Sequence, residues 1–201
     1  ERPTGRIFGT ETRSELIDKS RQLAQQLDFQ RMEFLNVPIG KSIHSAALPA
    51  KIDIITALHA CDTATDDAIR FGLHKQAKFM VLVPCCQAEI AAVLRKRKND
   101  SFALTPLSEL WRHPIHTREF GSVLTNALRC LQLEANGYQV TVTELVGWEH
   151  SMKNELIIAR YTGQKRRNAA ERLAAILHEL NLDELRQRFL PAFLPEEHKS
   201  V

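Results

Sequence analysis

Two short apolar segments, with one helix-like segment between them, constrain the fold of this chain more than any other feature. Residues 52–58 (IDIITAL) and 79–83 (FMVLV) each stop at a polar loop. Hydroxyl and carboxylate side chains after the first segment can cap a helix that ends near Gly72. A strand, a helix and a strand joined by short loops form a crossover, so the two strands are predicted to be parallel. The first segment is predicted to be a strand buried on both faces of an α/β sheet.

The polar loops that follow these two strands are predicted to lie side by side. The first loop reads HACDT over residues 59–63, and the second reads PCCQ over residues 84–87. Parallel strands present their carboxyl ends at the same edge of a sheet, and ligands of open α/β sheets bind outside that edge. The sequence therefore predicts a functional site at these loops.

The rest of the chain alternates strand and helix patterns and then closes with a hairpin. Segments 140–146 and 156–159 are separated by a short turn, so the last strand is predicted to run antiparallel to the others. The further predicted elements are strands at 5–11 and 32–37, helices at 14–27, 87–97 and 117–136, and a loop at 111–116.

A helical tail follows the hairpin. Residues 166–193 contain two amphipathic pieces, broken near Asn181 and near Pro191. We therefore expect a sheet domain over residues 1–164 and a helical extension over residues 165–201.

Length and composition favour a single folded core inside a cell. A chain of 201 residues, 44% hydrophobic and 25% charged, can bury a core without disulfides. Its four cysteines follow no disulfide-scaffold spacing, so reduced thiols in a cytoplasmic compartment are expected. No apolar run approaches membrane-spanning length, and residues 1–11 lack the apolar centre of a signal peptide.

The charge of the chain is mildly basic and locally clustered. The net charge is +3, and basic runs occur at residues 94–98 and 165–167. Such runs can contact the phosphates of a nucleic acid, or they can be solvated helix ends. The sequence leaves both interpretations open.

Three motifs occur in a fixed order around the predicted edge: LHACD from Leu58, TATDDAI from Thr63 and VPCC from Val83. With them the chain resembles the Rossmann-like, class I methyltransferases that depend on S-adenosylmethionine (SAM), and within them a bacterial subgroup. A weaker resemblance is to the tRNA 2'-O-methyltransferases of the acceptor stem. The resemblance extends from Gly5 to about Thr162 and implies a sheet with an antiparallel last strand.

One part of that family pattern is missing. In that fold a glycine-rich loop follows the first strand, one helix before the strand that here ends at Glu11. No Gly-x-Gly occurs in this sequence. The resemblance therefore implies that the N-terminal strand and helix are absent from this chain, and that the sheet has a gap between the strands ending at Glu11 and Leu58.

The resemblance also assigns cofactor contacts. Glu11 is expected to accept hydrogen bonds from the ribose hydroxyls of SAM, as an acidic residue at the second strand end does in dinucleotide folds. The alternative is an exposed carboxylate that caps the helix starting near Ser14. Asn36 and Val37, which follow the second strand, would flank the adenine, and the methionine portion would lie beside the first residues of the HACDT loop. The expected cofactor-binding residues are Glu11, Asn36, Val37, Leu58, His59 and Ala60.

The methyl-transfer pocket is expected between the two loops and the hairpin turn. Zinc held by His59 and the cysteines, and a nucleophilic cysteine attacking a pyrimidine, are less favoured alternatives, because the spacing is not that of a zinc knuckle and nothing shows a poised thiolate. No metal is therefore expected. The expected catalytic residues are Asp62, His59, Cys85 and Cys86, and the expected substrate-binding residues are Pro84, His150, Lys153 and Asn154.

The methyl acceptor is not part of the resemblance. The basic runs and the similarity to the tRNA enzymes favour RNA, either tRNA or rRNA, over a protein or a small molecule. A different class of function is a non-catalytic binding module that keeps the fold without the cofactor, which the missing glycine-rich loop favours.

Overall fold

The computed structural model of the chain has an α/β fold and describes residues 5–58, 60–84, 87–96, 106–147 and 154–190. Within these residues the strands are Ile7–Glu11 (β1), Met32–Asn36 (β2), Ile54–Leu58 (β3), Phe79–Val83 (β4), Tyr138–Glu144 (β5) and Glu155–Tyr161 (β6). The α-helices are Ser14–Gln26 (α1), Ile39–Ser42 (α2), Thr63–His74 (α3), Glu89–Lys96 (α4), Pro114–Ala135 (α5), Ala169–Glu179 (α6) and Arg186–Phe189 (α7). Short 3-10 helices lie at Pro106–Trp111 and Asp183–Leu185.

The strands β3 and β4 form the predicted parallel pair. Leu58 is the register partner of Val83, and α3 connects the two strands. Because the paired ends are level, the loops that follow begin side by side at the carboxyl edge. The predicted position of this edge is confirmed, while His59, Cys85 and Cys86 lie outside the described residues.

The hairpin is also confirmed. β6 pairs antiparallel with β4 on one side and with β5 on the other, which gives the strand order β3-β4-β6-β5. Glu144 and Glu155 are register partners at the turn end of this hairpin. The turn end therefore lies at the same edge of the sheet as the loops after β3 and β4.

A second sheet contains β1 and β2 alone. These strands pair in parallel, and among the described residues neither pairs with β3. Phe8 and Leu35 nevertheless pack against the core of the larger sheet. β1 and β3 each keep one open edge, an arrangement that agrees with the predicted gap between the strands ending at Glu11 and Leu58.

The prediction that β3 is buried on both faces is wrong. Its residues alternate, and Ile54 and Leu58 are 58% and 63% exposed. Ile55 and Ala57 are buried in one core cluster with residues of α3 and α5. Among the described residues, helices therefore cover one face of this strand, and the apolar side chains on the other face remain open to solvent.

Several helices differ from the predicted ones at their ends. α5 begins at Pro114 rather than Thr117, because a proline fits the first position of a helix, where its missing N–H is not needed. The short helices α2 and Pro106–Trp111 escaped prediction because they are too short to show an apolar period. None of the described helices has the length and apolar character needed to cross a membrane.

The described part of the C-terminal extension packs as a layer on the sheet domain. Residues of α4, α5, α6 and α7 share a second hydrophobic core that includes Leu124, Leu128 and Leu173. Arg188 of α7 also forms an ion pair with Glu89 of α4, with Nη2 and Oε1 2.7 Å apart. The extension is therefore expected to unfold together with the sheet domain.

Truncating a leucine of this second core tests that expectation. Leu173→Ala should lower the free energy of unfolding by about 2–5 kcal/mol, because the side chain is fully buried and its removal leaves a cavity. Urea denaturation followed by circular dichroism measures the loss, and one transition should report the whole chain. Leu23→Ala is the matched control: its side chain is exposed on α1, so a change within about 0.5 kcal/mol is expected. Equal losses in the two variants would contradict the shared core.

Candidate active site at the carboxyl edge

A corner formed by residues 60–62 connects β3 to α3, and its backbone is strained at Asp62. Asp62 has φ 50° and ψ −120°, a left-handed region that only glycine enters without cost. Its carboxylate oxygen Oδ1 accepts hydrogen bonds from the backbone N–H groups of Ala88 (3.1 Å) and Glu89 (3.2 Å). These amides lie at the start of α4, so Asp62 joins the loop after β3 to the loop after β4.

The carbonyl groups of the same corner are also held. The hydroxyl of Thr65 donates to Ala60 O at 2.6 Å. The guanidinium of Arg129 donates from Nη2 to Asp62 O at 2.8 Å. Thr65 of α3 and Arg129 of α5 therefore hold the carbonyl groups of the corner, while the carboxylate of Asp62 holds the corner to α4.

Arg129 is buried together with Asp66. Their side chains are 0% and 3% exposed, and Arg129 donates from Nε to Oδ1 at 2.6 Å and from Nη2 to Oδ2 at 3.1 Å. Such a two-pronged contact matches the planar guanidinium to the carboxylate. Because a buried charge without a partner is very costly, each of these side chains depends on the other.

Asn126 extends this network toward the hairpin and the loop after β4. Its Oδ1 accepts from Arg129 Nη1 at 3.0 Å, and its Nδ2 donates to Glu155 Oε2 at 2.7 Å. Gln87 donates to Asn126 Oδ1 at 3.4 Å and accepts from the hydroxyl of Ser122 at 2.7 Å. The network therefore connects α3 and α5 to the corner, to the second loop and to β6.

Sequence reasoning missed this network, although a signal was present. Ser122, Asn126 and Arg129 are polar residues at spacings of four and three within a long apolar helix pattern. Residues so spaced lie on one face of a helix. A polar stripe beside the apolar one indicated buried hydrogen bonds on that face.

Carboxylates outnumber cations around this edge. Among the described residues that these contacts join, the carboxylates are Asp62, Asp66, Glu89 and Glu155, and the cations are the guanidinium groups of Arg129 and Arg188. Burial raises the pKa of Glu89, an effect opposed by Arg188 and reinforced by Asp62 and Asp66. The described part of the edge therefore carries more negative than positive side chains, which favours a positively charged ligand group.

Glu11 lies at the end of β1, where the sequence predicts it. Hydrogen bonds from the side chain of Arg13 first, and then from the backbone N–H of Arg13, lower the pKa of Glu11 to about 2. Oε1 accepts from the N–H groups of Thr12 (2.9 Å) and Arg13 (3.1 Å), whereas Oε2 accepts from Arg13 Nη2 at 3.2 Å. The ionised carboxylate thus keeps acceptor capacity at Oε2, as binding of a ribose hydroxyl requires.

Asn36 lies beside Glu11. The two residues are register partners at the ends of β2 and β1. In the amide orientation that gives both atoms partners, Asn36 donates to Thr12 O and accepts from Ser14 N, each at 3.2 Å. Asn36 therefore caps the entry to α1, next to the half-buried Val37.

The other predicted site residues fall into three groups. Leu58 is exposed on the open face of β3, while Ala60 is half-buried and Pro84 is buried at the edge. Asn154 is buried, and its side chain donates to Val146 O across the base of the hairpin. His59, Cys85, Cys86, His150 and Lys153 lie outside the described residues, and their predicted roles remain predictions.

The described thiols differ in their surroundings. Cys130 lies half-buried next to Arg129, and burial, with smaller contributions from Glu155 and Glu134, raises its pKa to about 12. Cys61 is exposed at the corner. In the described part of the chain, no three histidine, cysteine or acidic side chains come together as a group that could hold a metal.

The Glu11–Arg13 contact makes a prediction for titration. Arg13→Met should raise the pKa of Glu11 from about 2 part of the way toward the ordinary value of a glutamate, because the largest cause of the shift is the hydrogen bond from the Arg13 side chain, whereas the backbone N–H groups of residues 12 and 13 remain. Carbon-detected NMR of the side-chain carboxyl measures both values. Arg21→Met removes an exposed arginine on α1 and should leave Glu11 unchanged. An unshifted Glu11 in the Arg13 variant would show that the contact does not form in solution.

The capping role of Asp62 makes a prediction for stability. Asp62→Ala should lower the free energy of unfolding by about 0.5–2 kcal/mol, because the first N–H groups of α4 lose their acceptor. Asp62→Asn keeps a side-chain oxygen at the same position and should lose clearly less. Urea denaturation compares the two variants. Losses of equal size would mean that the capping hydrogen bonds contribute nothing.

Comparison with known proteins finds two similarities that include residues of this edge. Residues 1–93 match a family model described as a methyltransferase domain. The chain is also similar to a glutathione S-transferase C-terminal domain-containing protein homolog of Drosophila pseudoobscura pseudoobscura, with 25% identity over 81% of this chain. The chain spans 30% of the length of that relative. The family match covers β1 to β4 and the start of α4, and it supports a methyltransferase.

Proposed function

We propose that the protein transfers a methyl group from SAM to an acceptor bound at the carboxyl edge. The observation that carries this proposal is the position of Glu11 and of the corner at residues 60–62. Glu11 is the last residue of β1 and the corner follows β3, so both lie at the carboxyl ends of parallel strands and within the residues that match the methyltransferase model. Ligands of open α/β sheets bind at such strand ends.

The residues at the edge fit the proposed cofactor. The ionised Glu11 is suited to accept a ribose hydroxyl, and Asn36 and Val37 are suited to flank the adenine. The methionine portion would lie along residues 58–60. When bound, SAM supplies a methyl group on a positively charged sulfonium, and the excess of carboxylates at the edge favours that charge.

Catalysis in this proposal rests mainly on alignment. Methyl transfer from a sulfonium is an in-line substitution, so the protein contributes chiefly by holding the acceptor atom opposite the methyl group. Pro84, and in this proposal the cysteines that follow it, shape the acceptor side. Asp62, His59 and His150 are the candidates to take a proton from a hydroxyl or nitrogen acceptor.

The proposed cofactor site needs further residues between the two sheets to enclose the cofactor. In the described part of the chain β1 and β3 each have an open edge, and the chain spans 30% of the length of its fly relative. We propose that the full-length protein supplies a strand and a glycine-rich loop between these edges. Without them, residues 1–201 should bind SAM weakly or not at all.

RNA is the acceptor class that we propose. The basic side chains of residues 94–98 and 165–167 lie in runs that can contact phosphates. Arg166 is already paired with Glu134 at 2.8 Å, so Arg167 is the better candidate of the second run. A non-catalytic binding module is the second candidate function, favoured by the separation of the two sheets.

Calorimetry of the full-length protein with SAM tests the proposal. Micromolar binding is expected. Glu11→Ala should weaken it by about tenfold or more, because the ribose hydroxyls lose their charged hydrogen-bond acceptor. Glu33→Ala is the matched control, since it removes an exposed glutamate from the neighbouring β2. Failure of the full-length protein to bind SAM would favour the non-catalytic module.

The acceptor is tested by methyl transfer. Full-length protein and tritium-labelled SAM should label the RNA fraction of a cell extract rather than the protein or metabolite fractions. Arg167→Ala should reduce this labelling while leaving SAM affinity unchanged. Labelling confined to protein or metabolites would retain the methyltransferase and overturn the RNA assignment.

A further inference from the structure

We propose that Arg129 is a positioning residue for the methyl-transfer site. It lies on α5, outside the residues that match the methyltransferase model, and its side chain binds Asp66, Asn126 and Asp62 O. Its guanidinium holds Asp62 O and thereby the corner at residues 60–62. The inference rests on the proposed function, because that function gives the corner its place beside the methyl donor.

The backbone of the corner gives the first argument. Asp62 occupies a left-handed conformation although it is not a glycine. Such strained residues persist only where their surroundings fix them firmly, and they cluster at functional sites. Arg129, together with the amides of α4 that bind the Asp62 carboxylate, supplies that fixation.

The geometry of the guanidinium gives the second argument. Arg129 uses Nε and Nη2 on Asp66, Nη2 also on Asp62 O, and Nη1 on Asn126. Only a planar fork reaches three partners on different elements at once, and a lysine ammonium would act as a point charge. One side chain therefore sets the relative positions of the corner, α3 and α5.

The energetics of a buried ion pair give the third argument. The desolvation of two charges offsets much of their attraction, so apolar side chains of similar size are often equally stable. Stability alone therefore does not require an arginine and an aspartate at these positions. The two charged side chains are required if the corner must keep one conformation, because apolar side chains cannot donate a hydrogen bond to Asp62 O.

A double variant separates positioning from stability. Arg129→Met with Asp66→Leu removes both charges together, and Asp62 O still accepts from Thr65 N. The full-length protein should keep its unfolding midpoint within about 5 °C of the wild type. Its affinity for SAM should nevertheless fall by about tenfold or more, because losing the hydrogen bond from a charged donor to Asp62 O lowers the population of the binding conformation of the corner.

Amide exchange reads the position of the corner without any ligand. The N–H groups of Ala88 and Glu89 report on Asp62, because its carboxylate is their acceptor. In the double variant these two amides should exchange about tenfold faster, while the β6 amides of Ile157 and Ala159 should not change. Arg166→Met with Glu134→Leu removes a partly exposed ion pair that does not contact the corner, and it should leave exchange at Ala88 and Glu89 unchanged.

The outcomes separate this inference from the proposed function. If the Ala88 and Glu89 amides of the double variant exchange at the wild-type rate and its SAM affinity equals that of the wild type, the positioning role is overturned. If the wild-type protein binds no SAM, the methyltransferase proposal fails, and the exchange of Ala88 and Glu89 still decides whether Arg129 fixes the corner. If the double variant does not fold, Arg129→Lys gives the same comparison, and wild-type exchange and affinity in that variant would overturn the role equally.

Discussion

The buried pair of Arg129 and Asp66 is the interaction on which the candidate site depends. Both side chains are enclosed, so each must satisfy the other's charge, and the pair fixes α5 against α3. The remaining donors of the guanidinium reach Asp62 O and Asn126, and Asn126 reaches Glu155 on β6. The positions of the corner and of the hairpin base therefore follow from one ion pair beneath the sheet edge.

The sequence predicts the strands, the parallel neighbours β3 and β4, and the antiparallel hairpin, because apolar runs and turn spacing are local signals. It does not predict that β6 lies between β4 and β5. The pairing of Leu58 with Val83 and the antiparallel β6 follow from those signals alone. The Arg129 network does not, because it joins residues far apart in the chain, such as Asp66 and Arg129. The prediction that β3 is buried on both faces also failed, because an apolar sequence does not show whether a helix covers Ile54 and Leu58.

The two sheets show what a family pattern adds to local reasoning. The absence of Gly-x-Gly implied a gap between the strands ending at Glu11 and Leu58, and among the described residues β1 and β3 belong to different sheets and do not pair. Ile54 and Leu58 are exposed on one face of β3. In our proposal the open edges and the open face belong to a site that further residues of the protein complete.

A crystal structure of the full-length protein with S-adenosylhomocysteine, the demethylated product of SAM, tests the central claim most directly. We predict a strand paired between β1 and β3, ribose hydroxyls bound to Glu11, and the sulfur beside residues 58–62. A product bound elsewhere, or β1 and β3 unpaired with no ligand at their carboxyl ends, would contradict the account.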